Sequence, residues 1–158
     1  MIRKNFALFF AFLLLVFGQN IFAQNKSEKV SEQKAELIQS GSYGGSELAS
    51  SYIDTLKNAL RNNPNSKGVF VFYCGNTCKY GEVEAHIKGL NISLNGKGWK
   101  NSEFAILQGG YKEKFTVEYW LIPEKVGLPI PSSTINIKDV KFKGTFRGKF
   151  VPYDCCEY

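Results

Sequence analysis

The segment Lys67-Gly68-Val69-Phe70-Val71-Phe72-Tyr73 is apolar or aromatic at every position after the glycine. A half-exposed strand alternates apolar with polar residues, whereas an unbroken β-branched and aromatic row fits a strand buried on both faces. Any fold for this chain must supply cover for that strand. The flanking segments are read as helices. Leu48, Tyr52, Ile53, Leu56 and Leu60 recur at helical spacing, and Asn62-Asn63-Pro64-Asn65 stops that helix because Pro64 disfavours helical geometry at Asn63. After a polar loop at Cys74–Tyr80, a second helix is expected from Gly81-Glu82, with Val83, Ile87, Leu90 and Leu94 as its apolar stripe and Asn95-Gly96-Lys97-Gly98 as its end.

Two further strands follow. Glu103–Gln108 is short, Gly109-Gly110 reads as a turn, and Phe115–Ile122 ends at Pro123. A strand–helix–strand crossover predicts that Val69–Tyr73 and Phe104–Leu107 lie parallel with a right-handed connection. The short link Gly109–Lys114 predicts a hairpin, with Phe115–Ile122 antiparallel to the strand before it. Both helices are expected on one face. The fold class is therefore α+β, a two-layer sandwich of mixed sheet and two helices, spanning 46–123. Pro129–Pro131 forms a stiff spacer, and Ile135, Ile137, Val140, Phe142 and Phe146 suggest one or two appended strands in a β extension over 124–158.

The N-terminus bears on where the chain works. Arg3 and Lys4 precede the apolar run Phe6–Phe17, then Gln19-Asn20 and a small residue, Ala23, which is the plan of a secretory signal peptide over 1–23. About twelve apolar residues fall short of the roughly twenty that span a bilayer, and no Cys follows to carry a lipid anchor. The expectation is cleavage before Gln24, periplasmic or secreted location, and no transmembrane anchor in the mature chain. Residues 24–45 read as a flexible leader, with room for a short helix around 32–39. Without residues 1–23 the chain keeps 135 residues, with 18 basic against 14 acidic side chains. No basic stripe stands out, which argues against nucleic-acid binding.

Export also changes the reading of Cys74, Cys78, Cys155 and Cys156. Four cysteines in an oxidising compartment suggest disulfides. Adjacent cysteines bond each other only with strained geometry, so Cys155 and Cys156 are expected to reach back to Cys74 and Cys78, in either pairing. A zinc site would favour C-x2-C pairs and a redox dithiol C-x-x-C, so neither spacing fits. No catalytic motif emerges. His86 reads as a boundary histidine, and Glu82, Glu84, Glu103, Glu113 and Glu118 are scattered without an acid–base pairing. Tyr80, Tyr111, Trp99 and Trp120 read mainly as core. The chain is read as non-catalytic, with no cofactor and no metal.

Residues 56–122 resemble the OmpA-like domain that associates bacterial outer-membrane proteins and lipoproteins with peptidoglycan. The resemblance rests on the helix and turn Leu56–Asn65, the strand Val69–Tyr73, the turn Gly98-Trp99-x-x-Ser102 before Glu103–Gln108, Gly109-Gly110, and Val117-Glu118. It implies a ligand site where the loop after the first core strand meets the start of the last one. In that family an Asp receives the amine of a diaminopimelate side chain and an Arg holds its carboxylate. The matching places here are Asn76 and Lys114, so the implied ligand-binding set is Asn76, Thr77, Tyr80, Lys112 and Lys114, with peptidoglycan or an envelope protein as partner. The alternative is a secreted protein–protein interaction or inhibitor module without a cell-wall ligand.

Overall fold

The computed structural model describes residues 33–42 and 46–148. Its elements are β1 (Glu36–Ser42), α1 (Ser46–Asn62), β2 (Ser66–Cys74), α2 (Glu82–Gly96), β3 (Phe104–Tyr111) and β4 (Thr116–Pro123), followed by a 3-10 turn at Ile137–Asp139. The four strands form one mixed sheet in the order β1-β4-β2-β3. The fold is α+β, and among the described residues no helix is long and apolar enough to cross a membrane.

Strand β2 is central and buried throughout Val69–Cys74, as the apolar run requires. Its residues serve two cores in alternation. Phe70, Phe72 and Cys74 pack with Ile53 and Leu56 of α1, Leu90 and Leu94 of α2, and Val117, Tyr119 and Leu121 of β4. Val69, Val71 and Tyr73 form a second cluster with Ile122 on the face that carries neither helix. On α1 the buried stripe is Ala49, Ile53 and Leu56, with Tyr52 and Leu60 at its edge, while Leu48 is 42% exposed. Ala49 therefore takes the core place expected of Leu48. Helix α2 keeps the expected stripe, with Val83, Leu90 and Leu94 buried and Ile87 partly so.

β2 and β3 are parallel, in register from Gly68↔Phe104 to Val71↔Leu107. Three expectations are corrected. First, β4 does not form a hairpin with β3 but pairs antiparallel with β2, from Ser66↔Pro123 to Tyr73↔Thr116. A hairpin would have left the most apolar strand at the sheet edge, whereas β4 on its other side buries it completely. The link between β3 and β4 instead crosses the end of β2, where Lys112 N–H donates to the Cys74 carbonyl at 2.9 Å.

Second, Gly109-Gly110 is not a turn. β3 continues to Tyr111, and the pairing jumps from Phe72↔Gln108 to Tyr73↔Gly110, leaving Gly109 as the extra residue of a bulge. A Cβ at Gly109 would overlap the Tyr73 ring, and Gly110 adopts φ +93°, so each glycine is required for a reason unrelated to chain reversal. Third, residues 36–42, assigned from sequence to a flexible leader or short helix, form β1. The edge of β4 offers a ladder from Glu36↔Leu121 to Ser42↔Thr116, and Ile38 packs against the helix-side core. Tertiary pairing here overrides a weak local preference.

The C-terminal segment is corrected as well. Over the described part of 124–158 it forms no appended strand but an irregular strap. Val126 packs on the Val69–Val71 cluster, Ser132 N–H donates to the Tyr73 hydroxyl at 3.2 Å, and Thr134 N–H to the Tyr111 carbonyl at 2.9 Å. Pro129 and Pro131 lack amide donors, which disfavours a ladder at that point. Further on, the strap lies beside the loop after β2. Lys141 and Lys143 N–H groups donate to Asn76 and Cys78 carbonyls, and Tyr80 N–H donates to Gly144, ending in the single bridge Tyr80↔Thr145.

Candidate functional site

Beyond β2 the chain turns sharply through Gly75. A Cβ there would sit 2.8 Å from the Phe115 backbone nitrogen, so only glycine lets the β3–β4 link pass against the loop. The turn is closed by Cys78 N–H donating to the Gly75 carbonyl at 3.1 Å and by a disulfide between Cys74 and Cys78, whose Cα atoms are 5.7 Å apart. The expected cross-links from this loop to Cys155 and Cys156 are thereby replaced: a turn of five residues already brings Cys74 and Cys78 within bonding reach. Cys155 and Cys156 lie outside the described residues, as do residues 1–23.

Between the loop and the β3–β4 link lies a groove of about 510 Å³, lined by Asn76, Thr77, Glu82, Glu113, Lys114 and Phe115, among others. Asn76 and Glu113 join its two sides. The Asn76 Nδ2 donates to Glu113 Oε2 at 3.1 Å, and its backbone N–H donates to the Glu113 carbonyl at 3.3 Å. Glu82 stands in the first turn of α2, where a carboxylate is favoured by the helix dipole, and its Oε2 accepts from Lys79 N–H at 2.7 Å. Two carboxylates and Lys114 therefore border one open groove. Such a lining suits a ligand end that carries an ammonium and a carboxylate together.

Of the five residues implied by the resemblance, Asn76, Thr77 and Lys114 come together here. Tyr80 does not: its ring stacks on Phe142 at 4.2 Å with 12° between planes. Lys112 does not either, because its ammonium lies on the opposite side of the sheet, 3.9 Å above the Tyr73 ring and in an ion pair with Glu118. Glu82 and Glu113 also line the groove, a place that the sequence pattern does not assign to them. Their signal was weak, since Glu113 meets Asn76 only after β4 is placed beside β2.

His86 lies on α2 against Phe115, with ring centroids 4.8 Å apart, and also near Phe146. Burial lowers its pKa below the usual 6.5, with Glu82 opposing the shift. The imidazole is thus neutral at pH 7, a boundary residue under the groove floor.

A second polar constellation occupies the strap side. Glu118 is 7% exposed; its carboxylate accepts from Tyr73 Oη and Trp120 Nε1, each at 3.0 Å, and from Lys112 Nζ. Burial foremost, with Glu118 adding to it, raises the Tyr73 pKa and keeps its phenol a donor. Its members engage one another, and the Tyr73 hydroxyl also accepts from Ser132 N–H, so the network ties the strap to the sheet. Among the described residues no group of three His, Cys, Asp or Glu side chains is placed to hold a metal ion.

No family model matches the sequence, and neither a curated protein nor a solved structure is significantly similar to the chain. The functional reading therefore rests on the groove itself.

Proposed function

We propose that the protein is an exported, non-catalytic binding module of the cell envelope, with an OmpA-like arrangement of its sheet and helices, that associates with peptidoglycan through the groove at the end of β2. The observation that carries this reading is the Asn76–Glu113 contact beside Lys114. From sequence, Asn76 stands where an anionic anchor is implied and offers no charge. Glu113, hydrogen-bonded to Asn76, returns a carboxylate to that position from the neighbouring link. The ammonium of a diaminopimelate side chain would meet Glu113, and its carboxylate would meet Lys114. Each such charge-assisted hydrogen bond contributes roughly 1.5–3 kcal/mol. The mixed sheet with both helices on one face is the arrangement that the resemblance implies, which adds support.

The test is co-sedimentation of the mature protein with purified peptidoglycan. The protein should pellet with the wall, excess diaminopimelate-containing peptide should release it, and Glu113→Gln and Lys114→Met should each weaken retention by about tenfold or more. Protein that stays in the supernatant at low salt, or retention untouched by either substitution, would refute the proposal.

A further inference from the structure

At the opposite end of β2 from the groove, a cleft of about 370 Å³ opens between the last turns of α1 and the turn that follows α2. Its lining includes Lys57, Leu60, Arg61, Ser66, Trp99 and Glu103. One feature sets it apart from the rest of the molecule. Trp99 is 5% exposed, and its Nε1 is the one buried side-chain nitrogen or oxygen among the described residues that lacks a hydrogen-bond partner. The other indole, Trp120, has its N–H satisfied by Glu118. A buried donor left unmade costs on the order of 1–3 kcal/mol, and an acceptor brought by a ligand would recover it.

The indole is held by the core. A Cβ built on Gly68 would lie 3.2 Å from Trp99 Cζ3, and Phe70 and Phe104 pack on the ring. The Cζ3 edge thus faces β2, and Nε1, across the indole from that edge, faces away from the strand. The surrounding polar groups are mostly donors. Lys57 Nζ uses one hydrogen on the Lys97 carbonyl at 2.9 Å, and Arg61 uses Nη1 on Asn58 at 3.2 Å, leaving further N–H groups on each. Glu103 is the one carboxylate in the lining, and its Oε2 already accepts from Lys100 N–H at 2.8 Å. Two cations against one anion match a ligand of single negative charge, and Leu60 and Pro64 offer an apolar wall.

From these observations we infer that the cleft between α1 and the α2–β3 turn is a binding site for a small organic monocarboxylate. The carboxylate oxygens accept from Trp99 Nε1 and from the Lys57 and Arg61 heads, and the apolar part of the ligand rests against Leu60 and Pro64. Nε1 is buried, so entry of the ligand requires the lining of the cleft to move, and Lys57 and Arg61 are its longest side chains, each held by one hydrogen bond. Glu103 disfavours a dianion. This site is independent of the groove and of its proposed wall ligand.

The two indole N–H signals of the full mature chain provide a direct readout by nitrogen–proton correlation spectroscopy. Titration with butyrate should shift the Trp99 signal saturably and leave that of Trp120 in place, with acetate binding more weakly because it lacks the apolar part. Arg61→Gln, on the exposed side of α1, should weaken butyrate by about tenfold or more. Glu103→Gln should improve inorganic phosphate relative to butyrate. A Trp99 signal that stays fixed would overturn the inference. So would a shift reproduced by sodium chloride at equal ionic strength, or unaltered butyrate affinity in Arg61→Gln.

Discussion

The two faces of the sheet are covered by different means. On one face, α1 and α2 press aliphatic stripes onto Phe70, Phe72, Tyr119 and Leu121, and aromatic rings meet edge to face, as Phe70 and Tyr119 do at 5.6 Å. On the other, Val126 of the irregular strap packs on Val69, Val71 and Ile122 together with Ala35, Ala105, Leu107 and Trp120, and beside them sits Glu118 with three donors. The helix face is stabilised by buried area; the strap face combines a small aliphatic patch with a network that must be complete to be tolerated. Helices supply their own backbone hydrogen bonds, so they can bury a wide apolar stripe. A strap cannot, and it depends on side chains such as Tyr73 and Ser133 to accept from its backbone or bridge it to the sheet.

Substitutions should separate the two modes. The largest loss is expected on the helix face. Phe70→Ala removes a fully buried ring that meets Trp99, Phe104 and Tyr119, and should cost about 3–5 kcal/mol by denaturant titration. On the strap face, Glu118→Ala strands the buried Tyr73 donor, the part-buried Trp120 donor and the Lys112 ammonium, and should cost about 2–3 kcal/mol. Adding Lys112→Met to that variant should recover part of the loss, a coupling that a simple packing defect would not show. If Phe70→Ala and Glu118→Ala respond alike to the second substitution, the contrast between the faces fails.

Reduction of Cys74–Cys78, or Cys74→Ser with Cys78→Ser, should lower stability by roughly 2 kcal/mol, since the closed loop is short. Mass mapping under non-reducing conditions should recover Cys74 and Cys78 in one bridge. The smallest effect concerns His86. Its folded pKa lies below the unfolded value near 6.5, so in the interval between them the unfolded chain binds more protons. Stability should therefore fall as pH drops through 6.5 toward the folded pKa, and the slope should vanish in His86→Phe.

How far the sequence reveals this molecule depends on how local each signal is. The Val69–Tyr73 run and the α2 stripe at Val83, Ile87, Leu90 and Leu94 express burial directly, and both stand where the pattern places them. Glu36–Ser42 has no such pattern; it is a strand because β4 offers an edge, a fact located some eighty residues away. Gly109-Gly110 shows why a glycine pair is ambiguous, since close approach of Tyr73 demands it as firmly as a turn would. The groove was half legible for the same reason. Asn76, Thr77 and Lys114 are implied by the resemblance alone, and the strand order decides that Glu113 faces Asn76 and that Lys112 is committed to Glu118.

We propose that Glu113, and not the residue at 76, is the groove's anionic anchor. Calorimetric titration of the mature protein with a diaminopimelate-containing stem peptide tests it most directly, using Glu113→Gln and Asn76→Asp. Wild-type protein should bind, and Glu113→Gln should lose about tenfold or more in affinity. Asn76→Asp should not strengthen binding, because a second carboxylate beside Glu113 repels the first. Undiminished binding by Glu113→Gln, or no measurable binding by the wild-type protein, would contradict it.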